Sequence, residues 1–463
     1  MKRTPWRWTA LTVAAGLALA GCATGTGGSG GDDDTEYDSG AELSGELSIM
    51  GFGAGDEVAT ARLDRVEEQM PEVDVTLIEG DLDIQQFLSA VAAGDPPELV
   101  YANRDQIGTF ASRGAIIPLD SCIEGEGIDT SQYLDSALEQ VTFDDQIYAI
   151  PEFNGLAITM ANSELLSAAG LTIDDVNGSD WDAVTAATEA MMVNDGGSLS
   201  VIGFDSKLPE FLPLWARANG VDLLSEDGRT AHIDDPAVVE ALEWAVNVYD
   251  LQGGFGAVKA YRDSADFFGE GNQFATDVLG AMPMETWYVN VLQDVSPDAP
   301  MVFDTVHDRE GDPLAYGSGS SWAIPADSTN PEAACRYMKV MTEADSWMAA
   351  AQARADIRAE EGQPFTGLQP TANTEADAAI RDMIGDDVPE PWASAIDAAY
   401  TANDNSFSLP ANPADAEFKS AWQDAVNRVL NGQAEPQESL EQGQEEAQEA
   451  LDQAWATWDE QEG

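Results

Sequence analysis

Residues 46–114, ELSIMGFGAGDEVATARLDRVEEQMPEVDVTLIEGDLDIQQFLSAVAAGDPPELVYANRDQIGTFASRG, alternate between short apolar runs and segments with apolar side chains at helical spacing. Such an alternation is typical of strands that are connected by amphipathic helices. The β-α-β-α-β-α order predicts a parallel sheet with right-handed crossovers and helices on both faces. Strands are predicted at 46–52, 73–79 and 98–102, and helices at 56–70, 83–93 and 104–113.

Polar and aromatic residues follow two of these predicted strands. Open parallel sheets bind ligands beyond the carboxyl ends of their strands. Phe52 lies there among three glycines, which allow a close approach of the backbone to a ligand or simply form a flexible turn. Asn103 and Asp105 follow the third strand, where Asp105 either contacts a ligand or caps the next helix.

The chain is strongly acidic, with 85 Asp and Glu against 20 Lys and Arg and a formal net charge of −65. A surface of this kind repels nucleic acid and anionic lipid headgroups. It keeps a protein soluble where salt screens the repulsion between its own charges. We interpret the composition as an adaptation to salty or alkaline surroundings, and it excludes nucleic acid as a partner.

The N-terminus has the pattern of a secretory signal over residues 1–21, with a basic start and an apolar run from 10 to 20. The run is too short to cross a bilayer. Leu19-Ala20-Gly21-Cys22 resembles the lipobox of bacterial lipoproteins, which implies a diacylglycerol on Cys22 and anchoring to the outer face of the cell membrane. The alternative is an ordinary cleaved signal. Residues 22–41 are predicted to form a flexible linker.

The remaining chemistry-bearing residues predict neither a metal site nor a cofactor. Cys122 and Cys335 either form a disulfide, which an exported compartment permits, or are two buried free thiols. The two histidines, His232 and His307, lack the spacing of metal ligands. There is no HExxH motif, P-loop or nucleophile triad, so an enzyme is not predicted.

Five segments resemble, in their order and spacing, the extracellular solute-binding proteins of ABC importers, and in particular the sugar-binding, maltose-binding-protein-like group called family 1. They are AIIPLD (115–120), QIYAIP (146–151), ANSELLSAAGL (161–171), SDWD (179–182) and WAIPADSTNPEAA (322–334).

The resemblance implies an α/β protein with the type II periplasmic-binding-protein fold, in which two α/β lobes enclose a ligand cleft. On this map lobe 1 comprises residues 42–150 and 314–350, and lobe 2 comprises residues 151–313 and 351–463. Both Cys122 and Cys335 then fall in lobe 1, which makes a disulfide between them geometrically possible.

A sugar site needs aromatic rings for stacking and carboxylates, amides or hydroxyls for hydrogen bonds. Trp215 is either a ligand contact or a helix-buried core residue, and Trp322 is either a stacking platform or packing. Trp422, Trp455 and Trp458 are predicted to pack between helices. The ligand-binding candidates are Phe52, Asn103, Asp105, Glu152, Asn154, Trp215, Glu285, Trp287, Tyr288, Ser318 and Trp322.

The resemblance implies a non-catalytic, monomeric lipoprotein that captures a sugar or oligosaccharide by lobe closure and delivers it to ABC permease subunits. A receptor for another solute, such as a polyamine or a peptide, is the first alternative. A secreted glycoside hydrolase is the second alternative. It would need a pair of carboxylates, and 85 acidic residues make any such pair uninformative.

Overall fold

The structure of the protein is a computed structural model that describes residues 37–38, 40–78, 80–196 and 198–462. The predicted signal segment 1–21 and Cys22 lie outside the described residues, as does most of the predicted linker. In the described part, no helix combines the length and the apolar composition that crossing a membrane requires.

Two sheets and seventeen α-helices make up the part of the chain that the structure describes, together with a small hairpin and three 3₁₀ turns at 104–106, 130–132 and 173–175. The strands are β1 (Gly45–Met50), β2 (Val73–Ile78), β3 (Leu99–Asn103), β4 (Thr142–Phe143), β5 (Gln146–Ile147), β6 (Ile150–Pro151), β7 (Gly155–Asn162), β8 (Val193–Asp195), β9 (Ser198–Phe204), β10 (Leu279–Glu285), β11 (Met301–His307), β12 (Pro313–Ser318), β13 (Ser320–Ala323) and β14 (Ser406–Phe407). The helices are α1 (Glu57–Gln69), α2 (Ile84–Ala93), α3 (Ile107–Ser112), α4 (Asp120–Glu126), α5 (Asp135–Glu139), α6 (Ser163–Ala169), α7 (Trp181–Met191), α8 (Leu212–Ala218), α9 (Pro236–Leu251), α10 (Phe255–Arg262), α11 (Trp287–Val295), α12 (Pro331–Thr342), α13 (Ala344–Glu361), α14 (Thr374–Ile384), α15 (Trp392–Asp404), α16 (Asp415–Leu430) and α17 (Pro436–Glu462).

The five-stranded sheet has the order β2-β1-β3-β13-β6. Its first three strands are parallel, and β13 runs antiparallel to both β3 and β6. The helices between the first strands begin at carboxylate caps, because Asp56 and Asp83 each accept a backbone N–H of the first turn. The predicted β-α-β-α-β order is therefore present, and its boundaries differ by one or two residues.

The seven-stranded sheet has the order β14-β12-β11-β7-β10-β9-β8. Hydrophobic periodicity does not reveal most of these strands. All eight residues of β7 are buried, so the polar alternation that marks a half-exposed strand is absent. Pro283 lies within β10, between β7 and β9, where proline argues against a central strand.

The chain changes from one sheet to the other three times. The third change lies between β13 and β14, and the first two are adjacent. It leaves the five-stranded sheet after β6 and enters the seven-stranded sheet at β7. It returns between β12 and β13, with Gly319 alone between the two strands. The helices after residue 343 divide: α13 packs along α1, whereas α15 packs on β11. The lobe boundaries at 150, 313 and 350 stay a prediction.

A disulfide joins Cys122 in α4 to Cys335 in α12, with 5.9 Å between their Cα atoms. Of the two alternatives that the sequence left open, the structure contains the disulfide. Beside it, Arg336 of α12 binds the carboxylate of Glu126 through two nitrogens, and Tyr37 donates to the same carboxylate. These contacts hold α4 on α12 across 213 residues of sequence.

Replacing both Cys122 and Cys335 with alanine is expected to lower the free energy of unfolding by about 2–5 kcal/mol, because a crosslink over a long loop restricts the unfolded chain. Urea denaturation with and without a reductant measures this change. The reductant should lower the stability of the wild type and leave the double variant unchanged. A wild type that is insensitive to the reductant would contradict the prediction.

Candidate functional site

Arg104 joins the end of β3 to the two adjacent segments in which the chain changes sheet, before β7 and after β12. Its side chain is buried, with 1% of the residue exposed. Its Nη2 donates to Oδ1 of Asn154 at 2.7 Å and to the carbonyl oxygen of Ser318 at 2.5 Å. Its backbone N–H donates to the carbonyl oxygen of Gly319. One guanidinium group therefore sets the distance between the outgoing and the returning strand.

Gly319 is required where these segments touch. Its φ is +152°, and a Cβ atom built on it would lie 2.1 Å from the carbonyl oxygen of Phe153 and 3.1 Å from Nη2 of Arg104. A side chain at this position would push the two crossing segments apart.

Gly319→Ala is expected to reduce the free energy of unfolding by at least about 2 kcal/mol, because both the backbone angle and the close approach disfavour a Cβ. Gly256→Ala in α10 is the matched control, since a Cβ there meets no atom within 4 Å and alanine favours a helix. Thermal and urea denaturation of both variants measure the difference. Equal stability of the two variants would refute the steric argument.

A chain of buried hydrogen bonds continues from Arg104 towards α14. Nδ2 of Asn154 donates to Oδ1 of Asn403 at 2.8 Å, and Nδ2 of Asn403 donates to Oδ2 of Asp377 at 2.7 Å. The backbone N–H of Thr371 donates to the other oxygen of Asp377. Burial raises the pKa of the Asp377 carboxyl to about 7. The crossing region therefore contains an acid that titrates near neutrality.

The raised pKa of Asp377 has a defined effect on stability. An unfolded aspartate has a pKa near 3.9, so between about pH 4 and about pH 7 the folded protein binds more protons than the unfolded chain. The contribution of this group to the unfolding free energy therefore falls as the pH rises through that window. Asp377→Asn is expected to remove this part of the pH dependence, as measured by urea denaturation at pH 5 and pH 8.

The exposed carboxyl of Asp382 on the same helix provides the control for this measurement. Asp382→Asn changes the net charge by the same amount and should keep the wild-type difference between the two pH values. If both variants show the wild-type difference, the titration of Asp377 does not govern stability in this range.

A cavity of about 280 Å³ lies next to the crossing strands. Its walls come from both sheets, from the loop before α8 and from one face of α16. The lining combines carboxylates, amides, hydroxyls, one ammonium group and three aromatic rings. The residues are Asn103, Asp105, Gln140, Gly155, Ala157, Glu210, Phe211, Glu285, Tyr316, Ser318, Gly319, Lys419, Trp422 and Gln423.

Some charged side chains of this cavity form an ion pair and others do not. Asp105 forms an ion pair with Nζ of Lys419, which connects the loop after β3 to α16. Among the described residues, Glu210 and Glu285 have no cationic partner within 4 Å. The cavity therefore offers free carboxylate acceptors beside aromatic surface. In the described part of the chain, no group of three or more His, Cys, Asp and Glu side chains is arranged to hold a metal ion.

Four of the eleven predicted ligand-binding residues line the cavity: Asn103, Asp105, Glu285 and Ser318. They come from the ends of β3, β10 and β12, and the tertiary fold brings them together from both sheets. Their role as ligand contacts stays a prediction.

Phe52 and Trp322 belong to the core of the five-stranded sheet, which corrects the expectation that they line the cleft. Their ring centroids are 4.9 Å apart, and both rings pack on Tyr101. Trp322 is fully buried and also contacts the ring of Tyr337. Of the two roles considered for Trp322, the structure places it in packing.

Glu152 and Asn154 were expected to face the cleft, and the structure turns both inwards. Oε1 of Glu152 accepts from Nη1 of Arg62 at 2.8 Å in a fully buried pair, and Arg62 itself lies over the ring of Trp347. Burial raises the pKa of Glu152, and the Arg62 guanidinium opposes this rise. The side chain of Asn154 is part of the buried hydrogen-bond chain described above.

The three predicted aromatic residues of the seven-stranded side lie outside the cavity lining. Trp215 is buried and donates from Nε1 to the carbonyl oxygen of Ser206, and the hydroxyl of Tyr288 donates to Phe267. Trp287 is half-buried and stacks on the exposed ring of Phe268 with 6.0 Å between centroids.

Sequence reasoning missed part of the lining, including Gln140, Phe211 and Tyr316. Trp422, which was predicted to pack between helices, is a buried core residue that also borders the cavity. A signal was present in α16, where Lys419, Trp422 and Gln423 share one helical face. Lysine is rare in this chain, so a lysine beside an aromatic residue at helical spacing was informative.

The sequence from residue 61 to residue 361 matches the family model of the bacterial extracellular solute-binding proteins. The chain belongs to this family. This match confirms the predicted relationship to solute-binding proteins of transporters and covers more than half of the chain. A search of curated proteins returned no significant match.

Solved structures of solute-binding proteins share the fold of this family member. CpMnBP1 with mannobiose bound has a TM-score of 0.69 at 21% identity, over 87% of this chain and 99% of that chain. The GacH receptor of Streptomyces glaucescens, solved unliganded and with acarbose, has a TM-score of 0.68 at 18% identity, over 89% and 99%. The maltose complex of MalE from Listeria monocytogenes has a TM-score of 0.61 at 17% identity, over 88% and 98%. The predicted two-lobed α/β fold is confirmed.

Proposed function

We propose that this solute-binding protein captures a sugar or oligosaccharide between its two lobes for an ABC importer. The observation that carries the proposal is the cavity beside the crossing strands, which both sheets line. Carboxylates such as Glu285 accept hydrogen bonds from hydroxyls, and amides such as Asn103 both accept hydrogen bonds from hydroxyls and donate to them. The rings of Phe211 and Tyr316 suit the apolar faces of a sugar. The proteins of similar fold described above were solved with mannobiose, acarbose or maltose.

Capture by closure follows from the position of the cavity. A ligand that contacts residues of both lobes gains its full interaction energy only in the closed arrangement, so it shifts the population towards closure. The closed monomer then docks on permease subunits, and its acidic surface makes this docking dependent on salt. The protein itself catalyses no reaction in this proposal.

Anchoring belongs to the same proposal. A lipid on Cys22 would hold the protein at the outer face of the cell membrane, and the basic start, the apolar run and the small residues before Cys22 support this modification.

A polyamine is the second candidate ligand. Glu210 and Glu285 line the cavity without a cationic partner among the described residues, and aromatic rings lie beside them. A cationic amine would bind between carboxylates and over a ring. A neutral sugar uses the same groups through hydroxyls, and it is favoured because the lining also contains amides, side-chain hydroxyls and the Asp105–Lys419 pair.

A thermal-shift screen of residues 22–463 carrying Cys22→Ser tests the proposal. The probes are maltose, mannobiose, their longer homologues, spermidine and a tripeptide. A ligand that binds only the folded state raises the melting temperature, with about 2.7 kcal/mol of stabilisation at a concentration of 100 Kd. We expect a sugar to produce the shift, and we expect Asn103→Ala to reduce the affinity for that sugar by about tenfold.

Asn431→Ala at the exposed end of α16 is the control and should bind the sugar like the wild type. A shift with spermidine or the peptide and none with any sugar would reject carbohydrate and retain a solute receptor. A sugar shift that Asn103→Ala leaves unchanged would show that the cavity is not the sugar site.

A further inference from the structure

A small recess of about 30 Å³ adjoins the main cavity. The two spaces share five lining residues, so the recess is a side pocket of the cavity and not a separate site. The shared residues are Asp105, Gln140, Tyr316, Lys419 and Trp422. Arg104, the arginine of the crossing strands, lies in its wall.

Four buried side chains around this recess carry polar atoms without a hydrogen-bond partner. They are Nε and Nη1 of Arg104, Oε1 of Gln140, Oδ2 of Asp415 and Nε1 of Trp422. The four residues are 1%, 3%, 6% and 2% exposed. A buried polar atom without a partner costs about 1–3 kcal/mol, and more where the group is charged. Such a concentration in one place indicates that a further group completes the hydrogen bonds.

Arg104 is also unusual among the arginines of this acidic chain. Every other arginine in the described part forms an ion pair with a carboxylate, whereas Arg104 is bound by Asn154 and by the carbonyl oxygen of Ser318. Nε and Nη1 of its guanidinium group therefore have no hydrogen-bond acceptor among the described residues.

We propose that the recess takes one hydroxyl group of the bound sugar, which accepts from Arg104 and Trp422 and donates to Gln140. The inference rests on the proposed function and names the specificity-determining contact of that site. A hydroxyl group both accepts and donates, as this set of atoms requires.

Other ligand groups fit the recess less well. Its volume of about 30 Å³ has room for a group of the size of one water molecule. A carboxylate could not donate to Gln140, and it would also face Asp105 and Asp415 in the same wall. An ammonium group has no lone pair for the donors of Arg104 and Trp422. A water molecule can make the same hydrogen bonds as a sugar hydroxyl, so the experiment distinguishes a bound water molecule from the sugar.

Gln140→Met provides the test without a ligand, because methionine has a similar shape and lacks the amide. If only a sugar hydroxyl completes the hydrogen bonds of the recess, the variant without ligand should melt at the wild-type temperature or above it. The control is Gln252→Met. Gln252 is equally buried, and its amide binds the backbone of Gly203, Phe204 and Val248, so this variant should melt lower.

The second arm uses the sugar that gives the largest shift in the screen described above, together with its set of monodeoxy analogues. Calorimetric titration should show that Gln140→Met reduces the affinity for the parent sugar by at least about tenfold. One deoxy analogue should bind the wild type with an affinity that is reduced by a similar factor. That analogue and the parent sugar should bind Gln140→Met with equal affinity, which identifies the hydroxyl by a double-mutant cycle.

Two results would overturn the inference while the proposed function stands. One is a melting temperature of Gln140→Met without ligand that falls as far as that of Gln252→Met, because water would then complete the recess. The other is a double-mutant cycle in which every deoxy analogue binds more weakly than the parent sugar by the same factor in Gln140→Met as in the wild type. A wild type that no sugar stabilises would reject the proposed function, and this inference with it.

Discussion

The rest of the structure depends on the buried contact between Arg104 and the two crossing segments. The guanidinium group holds Asn154 and the carbonyl oxygen of Ser318 together, and Gly319 leaves room for the backbone of Phe153. Both sheets are attached to these segments, so their relative position is determined where the chain crosses. Removing a buried, charged donor from such a place leaves several polar groups unpaired.

This contact also explains how ligand capture and lobe position can be linked. Arg104 lies in the wall of the recess and at the same time binds the strands about which the lobes would move. A ligand group bound to its free nitrogens would act on the crossing segments directly. The hydrogen-bond chain through Asn403 to Asp377 extends the same region to α14, and it contains an acid that titrates near neutrality.

Some of the few cations of the chain neutralise buried carboxylates. Arg62 pairs with the buried Glu152, and Arg336 holds Glu126 beside the disulfide. Other cations form exposed pairs, such as Arg229 with Asp459, which contribute little to stability.

The local pattern determined the first three strands, since alternating apolar runs and carboxylate caps place β1 to β3 and the two helices between them within one or two residues. Short sequence segments also determined the family. The strands of the second sheet were not readable from periodicity, because β7 is buried along its whole length and β10 contains a proline. Only the tertiary structure decided which polar residues line the cavity. Glu152 and Asn154 find partners far away in the sequence and turn inwards, whereas Gln140, Lys419 and Trp422 come to the cavity from remote segments. A side chain's partner depends on which elements pack together, and that information is not local.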